Sequence, residues 1–321
     1  MKGLKFNISP KHIKAIKLFF ISLVSVMVAL SIALIACNYI GNRNFKETFY
    51  SVSSLKVNHN IRVIQISDLH NCTYGTNNKK LVDRVEKLNP DLIIYTGDMI
   101  DSKSTNDRVI QLCEALAKVA PSYYIYGNNE AETYYDTLLT QEALDEKFGF
   151  DDTNRDPKKL LEGTDELTQQ LETVGVKVLK NASDTITIGT TKVDVYGVLT
   201  SNASSFWSYG GESFGQYLYT NETHLKITAF HEPAAMETYD PDSWGDLMLA
   251  GHTHGGLVKV PLLGPLYIHD GGLFPERGGH YVLGRYDVQG RPLIISSGLE
   301  HNNILRINNP PELVIVDINK F

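Results

Sequence analysis

Seven side chains in five short segments have the types and spacing of metal ligands. Asp68 and His70 form an Asp-x-His pair, and Asp98 follows Gly97. Asn128 stands in Gly127-Asn128-Asn129-Glu130, and His231 stands alone. His252 and His254 share Gly251-His252-Thr253-His254-Gly255-Gly256. Carboxylates, imidazoles and an amide oxygen in this mixture suit divalent Mn, Fe or Zn. Seven donors exceed the four that one tetrahedral zinc takes. They match two divalent metal ions about 3.5–4 Å apart that share a carboxylate, an arrangement that clamps a phosphoryl group for in-line displacement. Asp98 is the candidate bridge. No single segment is decisive; their order and placement carry the reading together.

Placement comes from the elements around them. Residues 61–66 read as a strand rich in β-branched side chains, residues 77–88 as a helix, and residues 91–96 as a second, almost wholly apolar strand. Residues 107–119 read as a helix with Asp107 as its N-cap, and residues 123–126 as a third strand. Strands alternating with helical crossovers predict a parallel sheet. Residues 185–188 and 192–196 flank a hairpin turn; residues 225–230, 246–250, 293–296 and 313–316 read as further strands. Asp68, Asp98, Asn128, His231 and His252 each follow the carboxyl end of a strand, where open α/β sheets bind ligands.

On these motifs the chain resembles the calcineurin-like metallophosphoesterase superfamily, whose pattern runs D-x-H, G-D-x-x-D, G-N-H-[ED], H and G-H-x-H. Within it the chain is similar to bacterial membrane-anchored phosphoesterases, through residues 65–70 and 251–256, Gly272-Leu273-Phe274-Pro275 and Pro310-Pro311-Glu312. The resemblance implies an α/β fold: a four-layer sandwich of two mixed β-sheets flanked by helices, spanning residues 61–321. It implies one metal on Asp68, His70, Asp98 and His254, and another on Asp98, Asn128, His231 and His252. Water activated between the two cations would attack phosphorus. Asp101 completes the G-D-x-x-D pattern and would orient the residue at 129.

That residue departs from the pattern. Asn129 stands where relatives carry a histidine that contacts the phosphate and helps protonate the leaving oxygen. An amide donates hydrogen bonds but is no general acid. General acid catalysis contributes about 10²–10⁴-fold, and poor leaving groups need it most. Lipid-precursor pyrophosphatases of the family carry arginine at this place. The expected substrate is therefore a phosphate diester or pyrophosphate, with a phosphomonoester as the alternative. Glu130, His269 and His280 are other candidate proton sources. A metal-binding ectodomain without turnover is the reading from a different class; retention of all seven ligands argues against it.

Residues 18–37 form a twenty-residue stretch without a charge, enough to span a hydrocarbon core about 30 Å thick. Lys2, Lys5, Lys11, Lys14 and Lys17 precede it, so the positive side predicts a cytoplasmic N-terminus and an extracytoplasmic catalytic domain. The expected organisation is a basic N-terminus over 1–17, an anchor over 18–40, a linker over 41–60, and the catalytic domain with a polar, acidic insertion over 131–163. Leu34-Ile35-Ala36-Cys37 resembles a lipoprotein cleavage box, leaving lipidation at Cys37 as the minor alternative. A net charge of −7 argues against a nucleic acid partner. The expected partners are the membrane, through the N-terminal helix, and a phosphate ester of lipid or envelope origin.

Overall fold

The computed structural model describes residues 10–101, 105–131, 166–199, 211–238, 244–268, 271–302, 304 and 306–321. The chain divides into two units, Met1–Arg43 and Asn44–Phe321. The first is a single helix, α1 (Pro10–Asn42), long and apolar enough to cross a membrane by length and composition. Its large apolar side chains, Phe19, Ile21, Leu30 and Ile32 among them, are exposed. A signal sequence has the same features. The side chain of Cys37 and most of the acidic insertion lie outside the described residues.

The second unit is built on two six-stranded mixed sheets. The first sheet takes β1 (Lys46–Ser54), β2 (Ile61–Ile66), β3 (Leu92–Tyr95), β4 (Ser122–Tyr124), β5 (Val176–Val178) and β16 (Glu312–Lys320), in the order β1-β16-β2-β3-β4-β5. The second takes β6 (Ala182–Ile188), β7 (Thr191–Gly197), β8 (Leu225–Ala229), β9 (Leu247–Ala250), β14 (Gly284–Val288) and β15 (Arg291–Ile295), in the order β14-β15-β9-β8-β7-β6. Strands β2, β3, β4 and β5 run parallel, as do β7, β8, β9 and β15. Two short ladders, β10 (Lys259–Val260) with β11 (Gly264–Pro265) and β12 (Tyr267–Ile268) with β13 (Gly272–Leu273), lie between β9 and β14.

Strand periodicity sorts the side chains into layers. In β2, Ile61 and Val63 face the layer between the sheets, while Ile64 and Ile66 face the helices. The same alternation puts Leu92 and Ile94 inside and Ile93 and Tyr95 outside in β3. This two-sided burial explains the unbroken apolar run of β3, Leu92-Ile93-Ile94-Tyr95. Three helices cover the outer face of the first sheet: α2 (Lys79–Leu88), α3 (Asp107–Ala117) and α4 (Glu166–Thr173). On the second sheet, α5 (Gly211–Tyr219) contributes Phe214 and Tyr217, and α6 (Ala234–Thr238) contributes Ala235 and Met236, packed with Trp244. The observed architecture is two mixed sheets flanked by helices.

Two local expectations are corrected. The predicted linker over 41–60 contains β1, which pairs in parallel with β16 over its whole length. Its sequence, Lys-Glu-Thr-Phe-Tyr-Ser-Val-Ser-Ser, is mostly polar because an edge strand is covered on one side only. Asn106, not Asp107, holds the N-cap position of α3; Asp107 lies in the first turn, where its charge favours the helix dipole. Because Ile94 is wholly buried between the sheets, Ile94→Ala should cost about 2–5 kcal/mol in a chemical denaturation series. Leu55→Ala, at an 84% exposed position, should change stability by no more than about 0.5 kcal/mol.

Candidate metal centre

The carboxyl ends of β2, β3 and β4 in one sheet, and of β8 and β9 in the other, bring the predicted ligands together. Hydrogen bonds across the sheets hold this edge. Gln65 Nε2 donates to the Thr96 hydroxyl (3.0 Å) and to the Ala250 carbonyl of the second sheet (2.8 Å). His231 Nδ1 donates to the Thr96 carbonyl (2.7 Å), which leaves Nε2 unprotonated in the neutral ring and aimed inward. Gly97, at φ 90°, lets the loops touch: a Cβ there would meet the Gly127 Cα at 2.6 Å and His231 Nδ1 at 2.8 Å.

Two clusters result. Asp68, His70 and His254 form one; Asp98, His231 and His252 form the other, and within each the donor atoms lie within 4.8 Å of one another. Asp98 Oδ2 is 3.2 Å from His231 Nε2 and 3.7 Å from His70 Nε2, so it faces both clusters. Asn128 Oδ1 joins the second cluster, 3.0 Å from His252 Nδ1. Five of these residues, Asp68, His70, Asp98, His252 and His254, have φ between 46° and 70°. Non-glycine residues in that region are uncommon, and such strain collects at functional sites.

The donor set fits two cations. His70 Nε2 is buried without a hydrogen-bond partner and points at the Asp98 carboxylate. Burial disfavours charge on His231, yet Asp98, Asp68 and the Thr96 carbonyl outweigh it and push its pKa up to about 10. Burial alone would raise the Asp98 carboxyl, but His231, His70 and the Asn129 N–H hold it below the usual carboxylate range. The second cluster therefore keeps an ionised carboxylate and stabilises positive charge beside it. Burial, aided by His70 and Arg306, pulls the His254 pKa down to about 4, against Asp68 and Asp98; a neutral imidazole is the ligating form.

Asn129 bonds to the carboxylate that faces both clusters. Its N–H donates to Asp98 Oδ1 (2.9 Å), and its Nδ2 donates to Asp98 Oδ2 (3.1 Å) and sits 3.2 Å from His70 Nδ1. Asp101 is half-buried, and its charge bears on Glu300. Of the other proton-source candidates, His269 lies outside the described residues, and His280 is half-buried on the loop after β13. Glu130 is buried and accepts from the N–H groups of Gly127 (2.9 Å), Asp98 (2.9 Å) and Met99 (2.8 Å) and from the Tyr124 hydroxyl (2.7 Å). Burial and the Asp98 charge raise its pKa. Glu130 thus ties the β3 and β4 loops.

Sequence reading missed two residues from a sixth strand end, that of β15. Glu300 puts Oε2 3.9 Å from His70 Nε2 and 3.8 Å from His254 Nδ1, and its N–H donates to the Asp68 carbonyl (2.7 Å). Arg306, fully buried, donates to the carbonyls of Glu300 (2.7 Å) and Ser297 (2.7 Å) and reaches His254 Nδ1 at 3.5 Å. The available signal was Ser297-Gly298-Leu299-Glu300 after an apolar strand, the same strand-then-glycine pattern as at Gly97, Gly127 and Gly251. Glu130→Ala would strand four buried N–H donors, that of Ile100 included, each costing about 1–3 kcal/mol. Stability should fall by at least about 3 kcal/mol in denaturant titration, and by clearly less for Glu130→Gln, which keeps an acceptor oxygen.

Comparison with known proteins agrees with this geometry. The chain is 26% identical over 288 residues to the uncharacterized metallophosphoesterase YkuE of Bacillus subtilis (strain 168), covering 86% of each chain. It is 25% identical over 237 residues to the phosphodiesterase YaeI of Escherichia coli (strain K12), covering 71% of this chain and 70% of the relative. It is 26% identical over 298 residues to the UDP-2,3-diacylglucosamine pyrophosphatase LpxG of Chlamydia muridarum (strain MoPn / Nigg), covering 80% and 83%. The pattern of the calcineurin-like phosphoesterases matches residues 61–256, more than half of the chain. By that match, and with paired Asp/His clusters at facing strand ends, the chain belongs to the calcineurin-like phosphoesterases and is a metal-dependent phosphoric ester hydrolase.

Proposed function

We propose that this chain hydrolyses phosphate diesters or pyrophosphates at a dinuclear site, on the outer side of a membrane in which α1 is a single-pass anchor. The observation that carries the linkage preference is Asn129, whose amide sits on the Asp98 carboxylate beside His70. An imidazole at that place could pass a proton to a departing alkoxide; an amide cannot. A phosphate or nucleotide leaving group needs little protonation, so its cleavage survives this replacement. A phosphodiesterase and a diacylglucosamine pyrophosphatase among the relatives support the same reading. The anchor and its orientation rest on the uncharged stretch over 18–37 and the five lysines before it.

Asp68, His70, Asp98 and His254 would hold one cation, and Asp98, Asn128, His231 and His252 the other. When bound, the cations supply Lewis acidity that lowers the pKa of water and neutralises charge on phosphoryl oxygens. The chain's own residues set the geometry. His231 is locked in one orientation by the Thr96 carbonyl, and Asp98 is fixed by the Asn129 N–H and amide. His252 N–H donates to Asp68 Oδ1 (3.0 Å), which ties the two clusters together through protein.

Two substitutions test the reading. Asp98→Asn keeps a residue that tolerates positive φ but removes the shared carboxylate. It should lower kcat/KM by about 10³-fold or more, and calorimetric titration with Mn²⁺ should show one strong site lost. Turnover close to that of the unaltered chain would sink the dinuclear assignment. Asn129→His should raise the ratio of monoesterase to diesterase activity by roughly 10²-fold. If that ratio stays put, position 129 does not choose the leaving group.

A further inference from the structure

The register of the first sheet decides where the chain from α1 joins the domain. Lys46, the first residue of β1, pairs with Glu312, and Val314 two residues on pairs with Gln65 near the end of β2. Lys46 is therefore level with Ser67, at the edge that carries Asp68. Contacts make the link continuous. Lys46 Nζ lies 3.3 Å from a Glu312 carboxylate oxygen, and the Glu312 N–H donates to the Gly298 carbonyl (2.9 Å). Gly298, at φ 74°, abuts Asp68 so closely that a Cβ would meet the Asp68 Cβ at 2.6 Å. Only Asn44 and Phe45 separate Lys46 from Arg43, where the helical unit ends.

A second observation lies at the same edge. The Lys46 N–H donates to the Pro311 carbonyl (2.8 Å), and just before Pro311 the Lys259 N–H donates to the Ile307 carbonyl (2.9 Å) while Asn308 Nδ2 donates to the Lys259 carbonyl (3.3 Å), so the β10–β11 hairpin sits beside that junction. Its turn is Val260-Pro261-Leu262-Leu263, closed by the Leu263 N–H donating to the Val260 carbonyl (3.0 Å). Leu262 is the third residue of that turn, at φ 67°, a position that favours Gly or Asn. It is also fully exposed, and Leu263 is 44% exposed. Among the described residues nothing packs on Leu262 to offset either cost. On the α2 side, Phe45 lines a groove of about 560 Å³ with Lys79, Lys80, Arg84 and Lys87. Asp83 answers Lys79 (2.6 Å) and Glu47 answers Arg84 (2.5 Å). Lys80 and Lys87 have no carboxylate partner among the described residues.

We propose that this edge docks on the bilayer, with the Leu262–Leu263 turn in the headgroup–acyl boundary and Lys80 and Lys87 facing anionic headgroups, so that the metal centre takes its phosphate ester from a membrane lipid. Exposed apolar side chains flanked by lysines are the signature of interfacial binding, and each basic residue near an anionic surface adds to it. The inference rests on α1 being an anchor and on the diesterase reading above.

The test uses the full chain in nanodiscs of phosphatidylcholine and phosphatidylglycerol, with Mn²⁺. In Leu262→Trp, the added fluorescence should fall by about half with acyl-brominated lipids, since an interfacial side chain sits ~5–10 Å deep. Ethyl and hexadecyl p-nitrophenyl phosphate offer one diester chemistry with a soluble and a membrane-borne tail. The hexadecyl-to-ethyl turnover ratio should drop at least about tenfold in Leu262→Asp/Leu263→Asp, with ethyl diester turnover reporting the fold of each variant. An unquenched indole, or a ratio that the aspartates leave unmoved, overturns the docking. Quenching without turnover of either diester keeps the docking and sinks the diesterase reading. Failure of the full chain to enter nanodiscs overturns the anchor and this inference with it.

Discussion

The bond from His231 Nδ1 to the Thr96 carbonyl is the contact on which the rest of the site depends. It joins the loop after β8 in one sheet to the end of β3 in the other. Each sheet contributes only part of each cluster: Asp68 and His70 need His254, and Asp98 needs His231 and His252. A slide of one sheet against the other by a single residue, ~3.3 Å, would separate every donor set. The His231 bond, the Gln65 bridge and the apolar layer between the sheets oppose that slide together. The same bond selects the ring tautomer, so position and chemistry are set by one interaction.

The strand ends reach this geometry through a strained backbone. Five of the seven candidate ligand residues sit at positive φ, each costing on the order of 1–3 kcal/mol. Neighbouring buried groups hold those turns in place. Glu130 collects backbone N–H groups from two loops, and Arg306 collects carbonyls from a third. Each is a charged side chain taken out of water and matched by several hydrogen bonds, the condition under which buried charge is tolerated. Neither needs to touch substrate for the site to depend on it.

Asn129 sits where these two themes meet. Its amide is bonded to the carboxylate that faces both clusters, so it bears directly on the geometry of that carboxylate. The junction with α1 lies at the same sheet edge, through Lys46, Glu312 and Gly298.

Much of this was legible in the linear chain. Strands β2, β3, β8 and β9 announce themselves as largely apolar runs because both faces are buried, and Gly97 and Gly251 mark the ligand turns after β3 and β9. Seven donors of the right types at strand ends were enough to infer two cations. Less legible were β1, whose polar edge sequence lacks a period, and Glu300 and Arg306, which belong to no short motif. Residue type and local periodicity are properties of neighbours in sequence, so the sequence by itself determined the buried strands, the candidate ligands and the misfit at 129. Hydrogen bonds between residues far apart in the chain depend on how two sheets stack. Only the tertiary structure could therefore decide that Glu130 ties loops, that Asn129 holds Asp98, and that the chain from α1 joins the domain beside Asp68.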